Sequence, residues 1–150
     1  MNIDQLREEL KVDEGCKYEI YLDHLNLPTF GIGHLVLDSD PEYGQPVGTP
    51  VSEDRVNECF AKDVETVLSE CTLLYPNFSV LPEEAQLIIA NMMFNMGRPR
   101  LSKFKGMKAA VDASDWHRAA VEMVDSRWYQ QLTNRADRLV QRMRGIKNAL

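Results

Sequence analysis

The run "EEAQLIIANMMFNMG", residues 83–97, constrains this chain more than any other stretch. Wound as a helix, it places apolar side chains on almost every face. A helix without a polar stripe is stable only when other elements surround it. Pro82 suits a first helical turn and Gly97 a helix stop, so the segment has both ends marked. Met92, Met93 and Met96 read as core within it. A central helix of this kind needs amphipathic neighbours, and the chain supplies them. Residues 101–112, 115–125 and 134–147 read as shorter helices, with a turn carrying Trp128 and Tyr129 before the last. Upstream, Ser52 fits an N-cap. Val56, Phe60, Val67, Cys71 and Leu74 then fall on one face of a long helix that stops near "YPNF".

The first third is built differently. "IDQLREELKVDEG" reads as a short helix, with Ile3, Leu6 and Leu10 at helical spacing and Gly15 as its stop. "CKYEIYLD" and "PTFGIGHLVL" are rich in aromatic and β-branched residues. Between them lies "HLNL", where Asn26 tolerates a left-handed turn, and the pair reads as a β-hairpin. "DSDPEYGQPVGTP" holds three prolines and two glycines and reads as irregular, with room for a third short strand. The expected class is α+β and mainly helical. One domain, 1–150, is expected to comprise a hairpin lobe (12–51), a helical lobe (1–11 plus 75–150) and a connecting helix (52–74).

Composition narrows the function. With 17 lysines and arginines against 23 acids, the net charge is −6, which argues against nucleic acid as a partner. From Arg127 onward, however, six cations face the single acid Asp137, so a basic end beside an acidic body is expected. No apolar run reaches the roughly 20 residues that span a bilayer, and no secretory signal opens the chain. Synthesis in a cytoplasm, without membrane insertion, is the expectation. Cys16, Cys59 and Cys71 follow no metal-ligand spacing and read as reduced thiols packed as small hydrophobes.

Residues 14–34, "EGCKYEIYLDHLNLPTFGIGH", concentrate the groups that could do chemistry. Glu14 sits at a helix end and Asp23 at a strand turn, places from which two carboxyls can converge. Glycoside hydrolysis needs such a pair, but solvated charge is the ordinary reading of any two acids among 23. "GIGH" lacks the third glycine and the lysine of a phosphate loop, so its glycines read as points of close backbone approach. His34 has no ligand spacing with His24 or His117, which leaves an ion pair with an acid as its better use and gives no metal site. "DSDPEYG" fails as a calcium loop, with Tyr43 at the required glycine and Thr49 at the bidentate glutamate.

Three segments in order, "DEGCKYEIYLDHLNLPTFGIGHL", "NMMFNMG" and "SRWYQQLTNRADR", resemble the T-even type of phage lysozyme, in glycoside hydrolase family 24. The resemblance covers nearly the whole chain. It implies a lysozyme-like fold and hydrolysis, with inversion, of the β-1,4 bond between N-acetylmuramic acid and N-acetylglucosamine in peptidoglycan. By position it implies Glu14 as general acid, Asp23 as the carboxylate that activates or positions water, and Thr29 as the holder of that water. Inversion requires room for a water, so it implies carboxyls roughly 6.5–9.5 Å apart. Leu35 and Phe94 match positions that line the sugar cleft. Arg135 matches an arginine that pairs with the catalytic glutamate, and His34 and Asp63 match a structural ion pair.

The chain departs from that pattern at Met107 and Glu122, where serine and asparagine can serve as sugar contacts, and at Asn95, which replaces a longer glutamine. Its acidity also departs from basic members. A negative surface should weaken long-range attraction to an anionic wall and favour activity at higher salt. The resemblance further implies a monomer that needs no cofactor, acts on peptidoglycan glycan strands after release, and works beside a holin-like permeabilising partner. A non-catalytic wall-binding or tail-associated domain and a chitin-oligomer hydrolase are the alternatives.

Overall fold

The computed structural model describes residues 1–148. Its elements run α1 (Ile3–Glu14), β1 (Lys17–Leu22), β2 (Pro28–Gly31), β3 (His34–Leu35), α2 (Glu53–Leu74), α3 (Glu83–Leu101), α4 (Lys105–Asp112), α5 (Trp116–Val124), α6 (Arg127–Gln131) and α7 (Thr133–Arg144). A single 3₁₀ turn, Phe78–Val80, lies between α2 and α3. This is the mainly helical α+β class expected. The chain forms two compact units, Asp4–Thr66 and Met1–Ile3 with Val67–Leu150, and the division falls within α2. No described helix is long and apolar enough to cross a membrane.

In the first unit, α1 stops because Gly15 adopts φ +74 and returns its N–H to the Lys11 carbonyl at 2.9 Å, the left-handed cap that glycine accepts most cheaply. The sheet is antiparallel in the order β1-β2-β3. Where the sequence suggested one long second strand, Gly31 and Gly33, both at φ +63, fold it back into two. The third strand therefore comes from this turn. Residues 36–50 contribute only an isolated bridge from Pro50 to Glu19. Phe30 pairs with His34, and their rings lie 4.9 Å apart among the buried residues Ile20, Ile32 and Val56. At Gly31 a Cβ would stand 2.9 Å from Val56 Cγ1, so this glycine lets the sheet lie close on α2.

Ser52 accepts the Arg55 N–H at 3.1 Å and caps α2 as expected. Of the cysteines, Cys59 and Cys71 are buried, and burial pushes their thiols up to about 11 and about 12. Cys16 is exposed instead, because it lies in the two-residue link between α1 and β1.

The helical unit is organised around α3, whose face from Ala85 to Met93 is continuously buried. Gln86, the one long polar side chain in that run, donates to the Leu81 carbonyl at 2.7 Å. The helix bends at Gly97 (φ 78, ψ 163) and continues through Pro99 to Leu101. Asn95 accepts the indole N–H of Trp128 at 2.8 Å, so the shorter amide still ties α6 to α3. Arg135 on α7, 9% exposed, donates to Asn91 Oδ1 at 3.0 Å.

Candidate functional site

Of the residues singled out from the sequence, Glu14, Asp23, Thr29, His34, Leu35 and Asp63 belong to the Asp4–Thr66 unit. Phe94 and Arg135 belong to the helical unit. Within the first unit the sheet has two distinct faces. Ile20, Phe30 and His34 are buried on one. On the other, Tyr21 stands opposite Thr29 and Thr29 opposite Leu35, so the three form a row across the strands. Directly opposed residues project to the same side of an antiparallel sheet, and Asp23 lies two positions beyond Tyr21, just past the end of β1.

Asp23 and Thr29 are held by one shared residue. In the turn between β1 and β2, Asn26 takes φ 60. Asp23 Oδ1 then accepts the N–H groups of Leu25 at 2.8 Å and Leu27 at 2.9 Å. The carbonyl of Leu27 accepts the Asp23 N–H and the Thr29 hydroxyl, both at 3.0 Å. Leu27 is 41% exposed, so its main chain rather than its side chain does the holding. Both side-chain bonds to Asp23 end on Oδ1, which leaves the other carboxylate oxygen outside the turn. Thr29 is 3% exposed and spends its only proton on Leu27, so its hydroxyl presents acceptor lone pairs.

Glu14, half-buried at the end of α1, is reached by the backbone of the β2–β3 turn. A Cβ at Gly33 would stand 2.6 Å from Glu14 Oε2, so any larger residue there must push the Glu14 carboxyl aside. The two glycines of "GIGH" thus serve two contacts, Gly31 against α2 and Gly33 against the acid. Tyr21 was not singled out from sequence, although its place on β1 two residues before Asp23 was a usable signal. Burial, then the charges of Glu14, Asp23 and Cys16, raise its phenol above the ordinary value, so the ring lies within the field of both acids. Lys17 Nζ sits 4.4 Å from its centroid.

His34 lies behind the strands. Its Nδ1 is 2.7 Å from Asp63 Oδ2 and its Nε2 is 2.8 Å from Asp40 Oδ2. Burial pulls its pKa down, but the bonds and charges of the two carboxylates outweigh this and raise it. Asp40 also accepts from Leu37 N at 2.8 Å and Arg55 Nη2 at 3.1 Å, while the Arg55 fork holds Glu42 through two bonds of 3.0 Å. Met107 is fully buried, which removes it as a sugar contact. Glu122 pairs with Arg118 at 2.6 Å, and a Cβ at Gly106 would lie 2.5 Å from its Oε2.

The profile of the family described as phage lysozyme matches residues 11–145. A probable T4-type lysozyme of Dictyostelium discoideum is 30% identical, with 92% of each chain covered. The pre-baseplate central spike protein of Enterobacteria phage T4 is 28% identical over 89% of this chain, which spans only 26% of that protein. A peptidoglycan hydrolase of Pseudomonas phage phiKMV is 26% identical over 91% of this chain and is spanned to 15%. With the match running through the Glu14 helix end, the Asp23 turn and the three-stranded sheet to the last helix, the chain belongs to the phage lysozyme family of glycosidases.

Proposed function

We propose that the chain is a muramidase that cleaves the β-1,4 bond between N-acetylmuramic acid and N-acetylglucosamine with inversion. The observation that carries the reading is the common tether of Asp23 and Thr29 to Leu27. A water that donates one proton to the free oxygen of Asp23 and the other to Thr29 Oγ1 keeps its lone pairs for the anomeric carbon. Asp23 then draws off the water's proton as the C–O bond forms. Glu14, for whose carboxyl Gly33 leaves room, delivers its proton to the departing glycosidic oxygen. The proton removed on one face and the proton supplied on the other balance each turnover. Leu35, 43% exposed in the same row as Thr29, gives an apolar surface for a sugar ring.

The test is clearing of outer-membrane-free peptidoglycan, with products resolved by anomer. Glu14→Gln keeps the side-chain shape and removes the proton donor, so turnover should fall by at least about 100-fold with the thermal midpoint retained. Equal clearing by both proteins would reject Glu14 as the acid. Native protein that binds the wall without releasing sugar ends would favour a tail-associated binding domain. The pre-baseplate central spike protein, of which this chain spans 26%, gives that second reading its support.

A further inference from the structure

From 85 to 111 the chain carries five cations and no acid, although the whole molecule has net charge −6. Lys108 is paired, 2.7 Å from Asp112. Arg98, Arg100, Lys103 and Lys105 are exposed, and among the described residues their side chains form no ion pair or hydrogen bond. Several other basic side chains in the same unit are engaged. Arg118 is bound by Glu122, Arg142 by Glu84 and Arg144 by Gln141. The C-terminal stretch that looked most basic in the sequence therefore spends part of its charge internally, and the open cluster lies elsewhere.

The segment that displays the four cations is folded, not frayed. After the bend at Gly97, Ser102 N bonds the Arg98 carbonyl at 2.8 Å, Lys103 N bonds Arg100 at 3.1 Å and Lys108 N bonds Phe104 at 3.0 Å. Leu101 is 2% exposed, and Phe104 sits edge-on to Trp128 at 6.3 Å between ring centroids. These two residues anchor the segment while the cations between and beside them face water. Four like charges within eight residues repel one another. No acid falls between residues 85 and 111 to offset that repulsion, although Glu122 of α5 packs beside Gly106.

We propose that Arg98, Arg100, Lys103 and Lys105 form a docking face for the carboxylates of peptidoglycan stem peptides. The inference rests on the muramidase reading and extends it to how the wall is held. A molecule of net charge −6 is repelled at long range by an anionic mesh. Only a local, short-range cationic face can offset that repulsion, and guanidinium and ammonium groups are the donors that carboxylates pair with.

The experiment is co-sedimentation with purified sacculi stripped of other polymers, at moderate salt. The fourfold variant Arg98→Gln, Arg100→Gln, Lys103→Gln and Lys105→Gln should bind roughly tenfold or more weakly, since several exposed pairs of modest strength are lost together. The charge-preserving exchange Arg98→Lys, Arg100→Lys, Lys103→Arg and Lys105→Arg should bind as the native protein does. Sacculi whose carboxyls are capped as neutral amides should hold the native protein no better than the variant. Equal binding by native and fourfold variant overturns the proposal, as does undiminished binding to capped sacculi. Binding regained only on walls that bear phosphodiester polymers also overturns it. Reducing ends counted in the same tubes report on the muramidase reading separately, because native protein that binds through the patch without cutting would sink that reading and leave the docking face standing.

Discussion

Gly15 and Gly33 share a positive φ, at +74 and +63, but their neighbourhoods set them apart. Nothing lies within 4 Å of a Cβ built at Gly15, whereas at Gly33 it would meet Glu14 Oε2 at 2.6 Å. Gly15→Ala should therefore cost about 1 kcal/mol of backbone strain, a fall of about 2–4 °C in thermal midpoint, with turnover kept. Gly33→Ala should push the Glu14 carboxyl aside and lose most turnover for a comparable fall in midpoint. Parallel activity losses in the two variants would show that Gly33 does not position the acid. At Thr29, serine should retain activity because it keeps the hydroxyl. Valine should lower kcat by about 100-fold, the scale of one misplaced reactant, with little change in binding to sacculi. The helix end, the turn and the left-handed Asn26 were legible in "DEG" and "HLNL". The approach of Gly33 to Glu14 was not, because nothing in local pattern says which remote side chain a glycine makes room for.

Among the elements, the sheet shows how far alternation can be read. β1 was legible because "CKYEIYLD" is rich in aromatic and β-branched residues, whereas the opposed faces of Ile20 and Tyr21 emerged only from the pairing register. The third strand was misplaced to residues 38–50, since two glycines two residues apart resemble a strand that continues as much as one that turns back. The loop 36–50 has no period, so the bonds of Asp40 to His34 and Arg55 could not be foreseen. They tie this loop to α2 and make it pH-sensitive. His34 is raised on folding, so its contribution is full below its unfolded value of about 6.5 and is lost as pH rises through the folded value. For Asp40, burial raises the pKa, but bonds to Leu37 and His34 and the charges of His34 and Arg55 outweigh it and lower it. Its contribution is present above about 3.9 and is lost as pH falls through the folded value. The two share one bond, so they act as a single coupled contribution, fullest between about pH 4 and 6.5. The thermal midpoint should fall on the alkaline side of that window, and in Asp40→Asn the fall should begin at lower pH. A native midpoint flat from about pH 6 to 9 would mean that the cluster does not stabilise the fold.

For the molecule as a whole, the class followed from residues 83–97, because a helix apolar on all sides leaves few architectures that can bury it. Surface charge was legible only as a sum, since pairing decides which cations remain open and pairing is tertiary. Two opposed fields should therefore shape lysis. At very low salt the screening length is about 30 Å and the net charge of −6 holds the chain off the wall. As that length shrinks to about 10 Å near 0.1 M, repulsion fades before the short-range contacts of the basic cluster do. Lysis rate should rise to an optimum and then decline, and a decline from the lowest salt upward would contradict this. The same ordered cluster has a consequence for the protein's own copies. A polyanion that carries a fixed cationic face is electrically polar, so one copy is a ligand for the next. Dialysis into very dilute buffer should produce concentration-dependent association that light scattering detects and added salt reverses. The fourfold glutamine variant, more acidic yet less polar, should stay dispersed.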